Sequence, residues 1–454
     1  MISFFHATKP LSLFIIPLLL IVAPAWAALQ IEFGQVFGVG KRASTIASAD
    51  MNGDGAIDLA IANIFSNSIT LALNDGDGNF NNMVQVTLQQ GLQHPVAVAL
   101  GDLDNDGRTD IITAQLQNFG LAGQLDPFNT SSLVLLFADA DGTYRQTSYP
   151  VRGVPSSVRV ADVNSDGLLD VVMGNNGEFS FDIVGAGAII QIDSGIDVLI
   201  NMGSRVFASP QPIDANGSVV DEIALDFNQD GMTDIVGINQ GIPSLDPIRL
   251  NLVVTDANIT LFRNTPSGIV PLSYLPVPYL PWGVDLADFN GDDLLDLAVT
   301  LVGSSDPTNY LSFLGRNASV DLYTNTGNGF TPMLRIPVDG IAYAVAARDF
   351  DLDGDVDLVV TAEEIVPGVG GNTLVPKMRL LENDGGNNFT EIAALSVEEE
   401  PRFMTVSDFD GDGDLDIAIL CTLIDSSDEA SAESGRVYVF FNNVQTSVSH
   451  WELW

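Results

Sequence analysis

Nine residues, Asp50-Met51-Asn52-Gly53-Asp54-Gly55-Ala56-Ile57-Asp58, constrain everything else in the chain. Acidic or amide side chains stand at positions 1, 3, 5 and 9, and glycine stands at position 6. The pattern returns six times, beginning at Asp102 (DLDNDGRTD), Asp162 (DVNSDGLLD), Asp226 (DFNQDGMTD), Asp288 (DFNGDDLLD), Asp349 (DFDLDGDVD) and Asp408 (DFDGDGDLD). Successive starts lie 52, 60, 64, 62, 61 and 59 residues apart. A period near 60 along a whole chain means one supersecondary unit repeated.

The residue types in each copy define a chemistry. Hard oxygens at alternate positions can turn inward around one ion, and calcium takes six to eight such ligands. An EF-hand loop opens in the same way, with oxygens from positions 1, 3 and 5 and a glycine at 6 that allows positive φ. The present loop closes instead with Asp at position 9, and strand-like alternation flanks it. Magnesium seldom uses a cage built wholly from protein. A single copy is indistinguishable from a run of Asx turns, but seven copies sharing four oxygen positions are not. The candidate ligands are Asp50, Asn52, Asp54 and Asp58 in the first loop and Asp102, Asp104, Asp106 and Asp110 in the second. The third offers Asp162, Asn164, Asp166 and Asp170, and the fourth Asp226, Asn228, Asp230 and Asp234. The fifth offers Asp288, Asn290, Asp292 and Asp296, and the sixth Asp349, Asp351, Asp353 and Asp357. Asp408, Asp410, Asp412 and Asp416 complete the set, so about seven Ca2+ per chain are expected.

Each unit has the same surroundings. An alternating apolar stretch such as Val96-Ala97-Val98-Ala99-Leu100 leads into the loop, and a second such as Asp110-Ile111-Ile112-Thr113-Ala114 leaves it. A third strand follows, as in Leu133-Val134-Leu135-Leu136-Phe137, then a glycine-rich turn and a fourth strand opened by an aromatic, as in Asp75-Gly76-Asp77-Gly78-Asn79-Phe80. Asp-Gly and Asn-Gly pairs between strands are hairpin signals. Four antiparallel strands in each of seven units predict an all-β, seven-bladed β-propeller, with the acidic loop between strands one and two of every blade. The last unit shows three strands, ending at Arg436-Val437-Tyr438-Val439-Phe440-Phe441, and residues 31–37 precede the first loop as an orphan strand. Pairing the two closes the ring and hides both edges. The competing assignment puts the tail, 444–454, in that last blade.

The loops, flanking strands and period resemble the FG-GAP, or VCBS, repeats of integrin α-subunit propellers and of many secreted bacterial proteins. The resemblance spans about residues 31–442. It implies that the side-chain oxygens at positions 1, 3, 5 and 9 bind calcium. The fifth loop departs from the pattern, with Asp293 in place of glycine at position 6. Asp tolerates left-handed geometry better than most residues, so a strained or weaker site is expected there. The resemblance also places the acidic loops on one face and the connections between strands two and three on the other. Six of these connections are long: 116–132, 174–196, 240–257, 303–317, 363–376 and 422–435. Long loops on a rigid scaffold are where binding usually lives. The last of them is acidic and is expected to be flexible. On that face Trp282 can stack on a sugar or simply pack, and Arg42, His94 and Arg402 can meet an acidic ligand or make structural bonds.

Composition narrows the function. The formal charge is −42, from 59 acids and 17 bases. Of the acids, 27 lie in the seven loops, and the rest still leave an acidic surface. Nucleic acid and anionic membranes need basic patches and are excluded as partners. Residues 1–27 form a secretory signal peptide: Lys9 precedes an apolar run, 11–23, and Ala25-Trp26-Ala27 offers a small-x-small cleavage site. The propeller is then expected over 28–443. Cys421 is the single cysteine, so there are no internal disulfides. His94, His450, Lys41 and Lys377 are the histidines and lysines beyond residue 27, with no zinc-ligand spacing. Gly-x-Ser-x-Gly, P-loop and dinucleotide fingerprints are absent. The expectation is an exported, calcium-loaded binding or adhesion module for an extracytoplasmic protein or glycan, not an enzyme. The alternatives are a lyase-like, polysaccharide-active enzyme working at the long-loop face, and a structural module of a larger assembly.

Overall fold

Strands rich in Val, Ile, Leu and Ala, punctuated by Asx-Gly turns, arrange themselves in seven four-stranded antiparallel sheets. The computed structural model describes residues 31–89, 93–117, 131–182, 188–192, 194–215, 217–245, 252–278, 280–303, 317–368, 371–422 and 434–443. The signal-peptide and tail assignments, 1–27 and 444–454, lie outside them. No helix among the described residues is long and apolar enough to cross a membrane.

The first strands of the blades are Ala43–Ala49, Gln93–Gly101, Pro155–Ala161, Val219–Leu225, Leu280–Ala287, Ile341–Arg348 and Pro401–Ser407. They pack side by side around the axis and line a central cavity of about 350 Å3. Each then enters an acidic loop. The second strand begins at position 9 of that loop in every blade: Asp58–Asn63, Asp110–Gln117, Asp170–Asn175, Asp234–Asn239, Asp296–Val302, Asp357–Gly368 and Asp416–Cys421. These strands are buried on both faces, as in Asp58–Asn63 and Asp170–Asn175, because a neighbouring blade covers each side. Outer strands such as Phe389–Ser396 alternate between exposed and half-buried residues.

Ile31–Lys41 is the outer strand of the seventh blade. It pairs antiparallel with Ser434–Asn442, with Phe33 opposite Phe440 and Phe37 opposite Val437. The apolar clusters lie between blades, not within them. Phe409 of blade 7 meets Phe80 of blade 1 edge-on at 5.6 Å, and Phe227 of blade 4 meets Phe330 of blade 5 at 6.0 Å. In both pairs, position 2 of one acidic loop packs on the aromatic that opens the next blade's outer strand. The aromatic after the glycine turn is thus an inter-blade wedge.

Three of the connections expected as long loops are instead partly β-structure. Within 174–196, Glu178–Asp182 pairs with Ala188–Ile192, and within 240–257, Ile242–Leu245 pairs with Leu252–Thr255. All four strands are only four or five residues long, and although Glu178–Asp182 alternates, the pairs lie inside connections that the repeat pattern leaves between strands two and three. In blade 6, Asp357–Gly368 and Gly371–Asn383 continue their ladder to Gly368–Gly371. Most of the other three long connections lies outside the described residues.

Candidate metal centre

Each acidic loop is shaped by its own side chains. The backbone N–H of position 6 donates to Oδ2 of the position-1 Asp in all seven loops, at 2.7 to 3.1 Å. The N–H of position 7 donates to Oδ1 of the position-5 Asp in all seven, at 2.9 to 3.2 Å. These Asx-type bonds curl the loop around its carboxylates. Asp293 fits the fifth loop with φ of 66°, and its N–H makes the same bond to Asp288 as the glycines elsewhere.

A second left-handed residue sits at position 4, which the sequence pattern does not mark. There φ is 78° at Gly53, 56° at Asn105, 60° at Ser165, 57° at Gln229, 73° at Gly291, 60° at Leu352 and 77° at Gly411. Non-glycine residues hold four of these seven places, so glycine counting misses the constraint.

The position-9 aspartates differ from the rest. They are at most 2% exposed. One oxygen accepts the first N–H beyond the blade's third strand or at its end, from Asn74 to Asp58, Ala138 to Asp110 and so on, at 2.6 to 2.9 Å. In six loops the other oxygen accepts the N–H of position 2, at 2.8 to 3.2 Å. In the fourth loop that oxygen takes Asn228 Nδ2 at 2.9 Å. These residues tie loop to sheet as well as offering lone pairs to the loop interior. An Asn near the end of the third strand extends the tie to the next blade. Side-chain amides of Asn74, Asn201, Asn264, Asn325 and Asn442 donate to the position-2 carbonyls of Phe409, Leu103, Val163, Phe227 and Phe350, at 2.5 to 3.1 Å.

The loops concentrate negative charge. Burial pushes Asp110, Asp170 and Asp234 up to about 6 and Asp357 and Asp416 up to about 7, and the neighbouring loop carboxylates push the same way. Three carboxylate oxygens converge within 4.8 Å in three loops: Asp102, Asp104 and Asp110; Asp349, Asp351 and Asp353; and Asp408, Asp410 and Asp416. The first, third, fourth and fifth loops carry Asn at position 3, which replaces one carboxylate by an amide oxygen. In the second loop Asp104 Oδ1 is buried without a hydrogen-bond partner, an oxygen whose complement is a positive ion. All-oxygen donors at these positions suit a hard divalent cation. The second loop also receives guanidinium groups: Arg205 contacts Asp104 and Asp106, and Arg108 contacts Asp106.

The opposite end of the axis is built differently. Every first strand there carries a register shift, for example between Pro281 and Val284, Ala342 and Val345, and Pro401 and Phe403. Such bulges re-aim side chains, here Trp282, Tyr343 and Arg402 from three adjoining blades. The Arg402 guanidinium lies 5.5 Å from the Trp282 ring and 5.1 Å from the Tyr343 ring, and Nε donates to Glu400 at 2.8 Å. The Tyr343 hydroxyl donates to Glu363 at 2.6 Å. His94 is buried, its Nδ1 3.0 Å from the Ile64 carbonyl, and Arg42 lies over Phe65 at 5.1 Å. The structure thus joins Trp282 to Arg402 and assigns His94 to packing. Glu222 was not singled out by sequence. It is fully buried between blades 3 and 4, where it accepts a hydrogen bond from Ser157 Oγ.

A closed ring of seven four-stranded blades, each opening on the same acidic loop, defines a β-propeller with a repeated candidate cation site. Residues 50–113 match the FG-GAP-like repeat, and residues 154–190 match the FG-GAP repeat. The chain is a seven-bladed β-propeller that carries FG-GAP-type repeats in these two stretches. No curated protein matches it. Among solved structures it is similar to a chain in the crystal structure of BBS1N in complex with ARL6DN, soaked with mercury. The identity is 11% and the TM-score 0.53, over 92% of this chain and 98% of that one, a likeness of fold alone.

Proposed function

We propose that this protein is an exported, calcium-loaded propeller that acts by binding an extracytoplasmic protein or glycan, and not by catalysis. The observation that carries the calcium reading is the convergence of three carboxylate oxygens within 4.8 Å in the second, sixth and seventh loops. The same backbone curl repeats in the other four. The ligands would come from positions 1, 3, 5 and 9, and the ion would supply the positive charge that offsets crowded aspartates. FG-GAP repeats support a binding or adhesion role. Export rests on the apolar segment 11–23 and the Ala25-Trp26-Ala27 site.

Recognition is assigned to the face opposite the ion loops. It carries the paired hairpins and Trp282, a half-buried ring beside the Arg402 guanidinium, with Tyr343 buried against both, and an aromatic face next to a cation suits a sugar ring bearing a carboxylate. The test is an array of neutral and acidic polysaccharides probed with calcium-loaded protein, with and without EGTA, alongside Trp282→Ala. Retention of an acidic polysaccharide that both treatments abolish is expected. Binding that survives both would refute this face as the site.

A further inference from the structure

The turn that follows the third strand of blade 3 runs Asn201-Met202-Gly203-Ser204-Arg205-Val206-Phe207. Counted from its asparagine, Arg205 occupies the place of Gly78 in blade 1 and Asn387 in blade 6. All three are left-handed, with φ of 63°, 78° and 58°. Glycine and asparagine accept that conformation readily, and an arginine does not. Ser204 beside it is left-handed too, at 55°. Something must hold Arg205 there, and its contacts identify what does. Nε donates to Asp104 Oδ2, Nη2 to Asp106 Oδ2 at 3.2 Å, and Nη1 to Asp139 Oδ1 at 3.0 Å. The guanidinium also lies over the Phe137 ring at 5.2 Å. Positions 3 and 5 of the second loop therefore hold a fixed positive charge delivered by the neighbouring blade. Asp104 is bound on one oxygen only. Its Oδ1 remains without a hydrogen-bond partner, in a side chain 7% exposed, and it belongs to the trio with Asp102 and Asp110.

We propose that Arg205 is an internal competitor for the cation of the second loop. The inference rests on the calcium reading above. Guanidinium and calcium draw on the same carboxylates and repel one another across the loop. The second site is consequently the weakest of the seven. Filling it loosens the bonds of Arg205 and frees the turn 201–207, so calcium at that loop reports on the junction between blades 2 and 3. Arg108 adds a second positive charge on Asp106 in the same direction. In the fourth loop Arg263 reaches one carboxylate, Asp230, at 3.4 Å and is a milder case.

Calorimetric calcium titration of the whole, calcium-stripped chain tests the proposal with Arg205→Ala and Arg205→Gln. The wild type should show one class of site weaker than the rest, and both variants should tighten that class by about tenfold or more. Unchanged or weaker binding in the variants, with normal binding by the wild type, overturns the competitor and leaves the calcium reading intact. A wild type that binds no calcium overturns both. Hydrogen exchange on the wild type needs no variant. Saturating calcium should speed exchange at residues 203–206 while slowing it in the other six loops. Slowing at 203–206 as well would refute the proposal.

Discussion

The side-chain amide of Asn74 donates to the carbonyl of Phe409 at 2.7 Å, across 335 residues of chain. It joins the first blade to the seventh by the same bond that joins other neighbouring blades. Asn74 Nδ2 also donates to Ile57 O at 3.1 Å, and its Oδ1 accepts from Gly76 and Gly78. Asn74→Ala should destabilise the protein by about 2 kcal/mol or more, because buried carbonyls lose their donors. Asn74→Asp keeps the acceptor for the turn but sets a carboxylate oxygen against the Ile57 and Phe409 carbonyls, so it should cost at least as much. Urea denaturation with calcium present measures both. Two losses below about 0.5 kcal/mol would show that the clasp contributes little.

Leu352 holds a left-handed φ of 60° while 51% exposed. A branched apolar side chain is costly in that conformation and has little packing to lose. Leu352→Gly should therefore stabilise by about 1 kcal/mol. Asp293→Gly should gain less, because Asp tolerates the region better. Equal or opposite shifts in urea midpoints would contradict this account of the loop backbone.

Removing calcium should lower the melting temperature by many degrees. Each site bound only in the folded state contributes about 2.7 kcal/mol at a hundredfold excess over its dissociation constant. Elemental analysis of protein dialysed in calcium should give near seven ions, with the second loop filling last. Two or fewer would remove most loops from the list of sites, and a melting curve indifferent to EGTA would remove the ion's structural role. Asp412→Ala, at a ligand position, should cost more than Asp77→Ala in the turn of blade 1, provided calcium is present.

Burial pushes Glu222 up to about 8, and its neighbours Asp221 and Arg159 act in opposite directions on it. An unfolded glutamate titrates near 4.5. The folded state therefore favours the protonated form. The stability tied to that proton is complete below the unfolded value and declines as pH rises towards 8. Glu222→Gln should be more stable than the wild type at pH 8.5, on the order of a few kcal/mol at about 1.4 kcal/mol per unit. The gap should shrink towards pH 5. Calcium is kept saturating at both pH values so that the loops do not contribute. A gap that ignores pH would place the proton elsewhere.

The ring was legible because its signal is repeated. One Asp-Gly loop is ambiguous, but the same oxygens near every sixtieth residue determine blade number, strand order and the position of each loop. Glycine at position 6 was legible as well, since few other residues serve there. Position 4 was not, because its conformation is imposed by the bonds from positions 6 and 7 to Asp carboxylates, whatever side chain stands there. Leu352 and Gln229 carry no local mark of it. The double duty of the position-9 aspartates was hidden for a related reason. Their backbone partners are 7 residues away on one side and 16 to 31 on the other. Arg205 meets Asp104 only through the approach of two blades, 101 residues apart in sequence. Pairings of that kind follow from the assembled ring and not from any window of sequence.

The seventh blade takes its outer strand, Ile31–Lys41, from the opposite end of the chain to its other three. This sets an order of events in the making of the molecule. At ~5–20 residues per second, the ribosome needs roughly 20–80 s to get from that strand to its partner, Ser434–Asn442. During that interval six blades can form in turn, while the earliest segment must remain unpaired and uncommitted. Its apolar residues Phe37 and Val39, which the closed ring packs into the cluster between blades 7 and 1, lack that cover for the whole period. Completion is a single late, long-range encounter, the kind of step that is slow in folding. A nascent chain halted before residue 434 would remain an open arc with two ragged edges, a natural substrate for a chaperone.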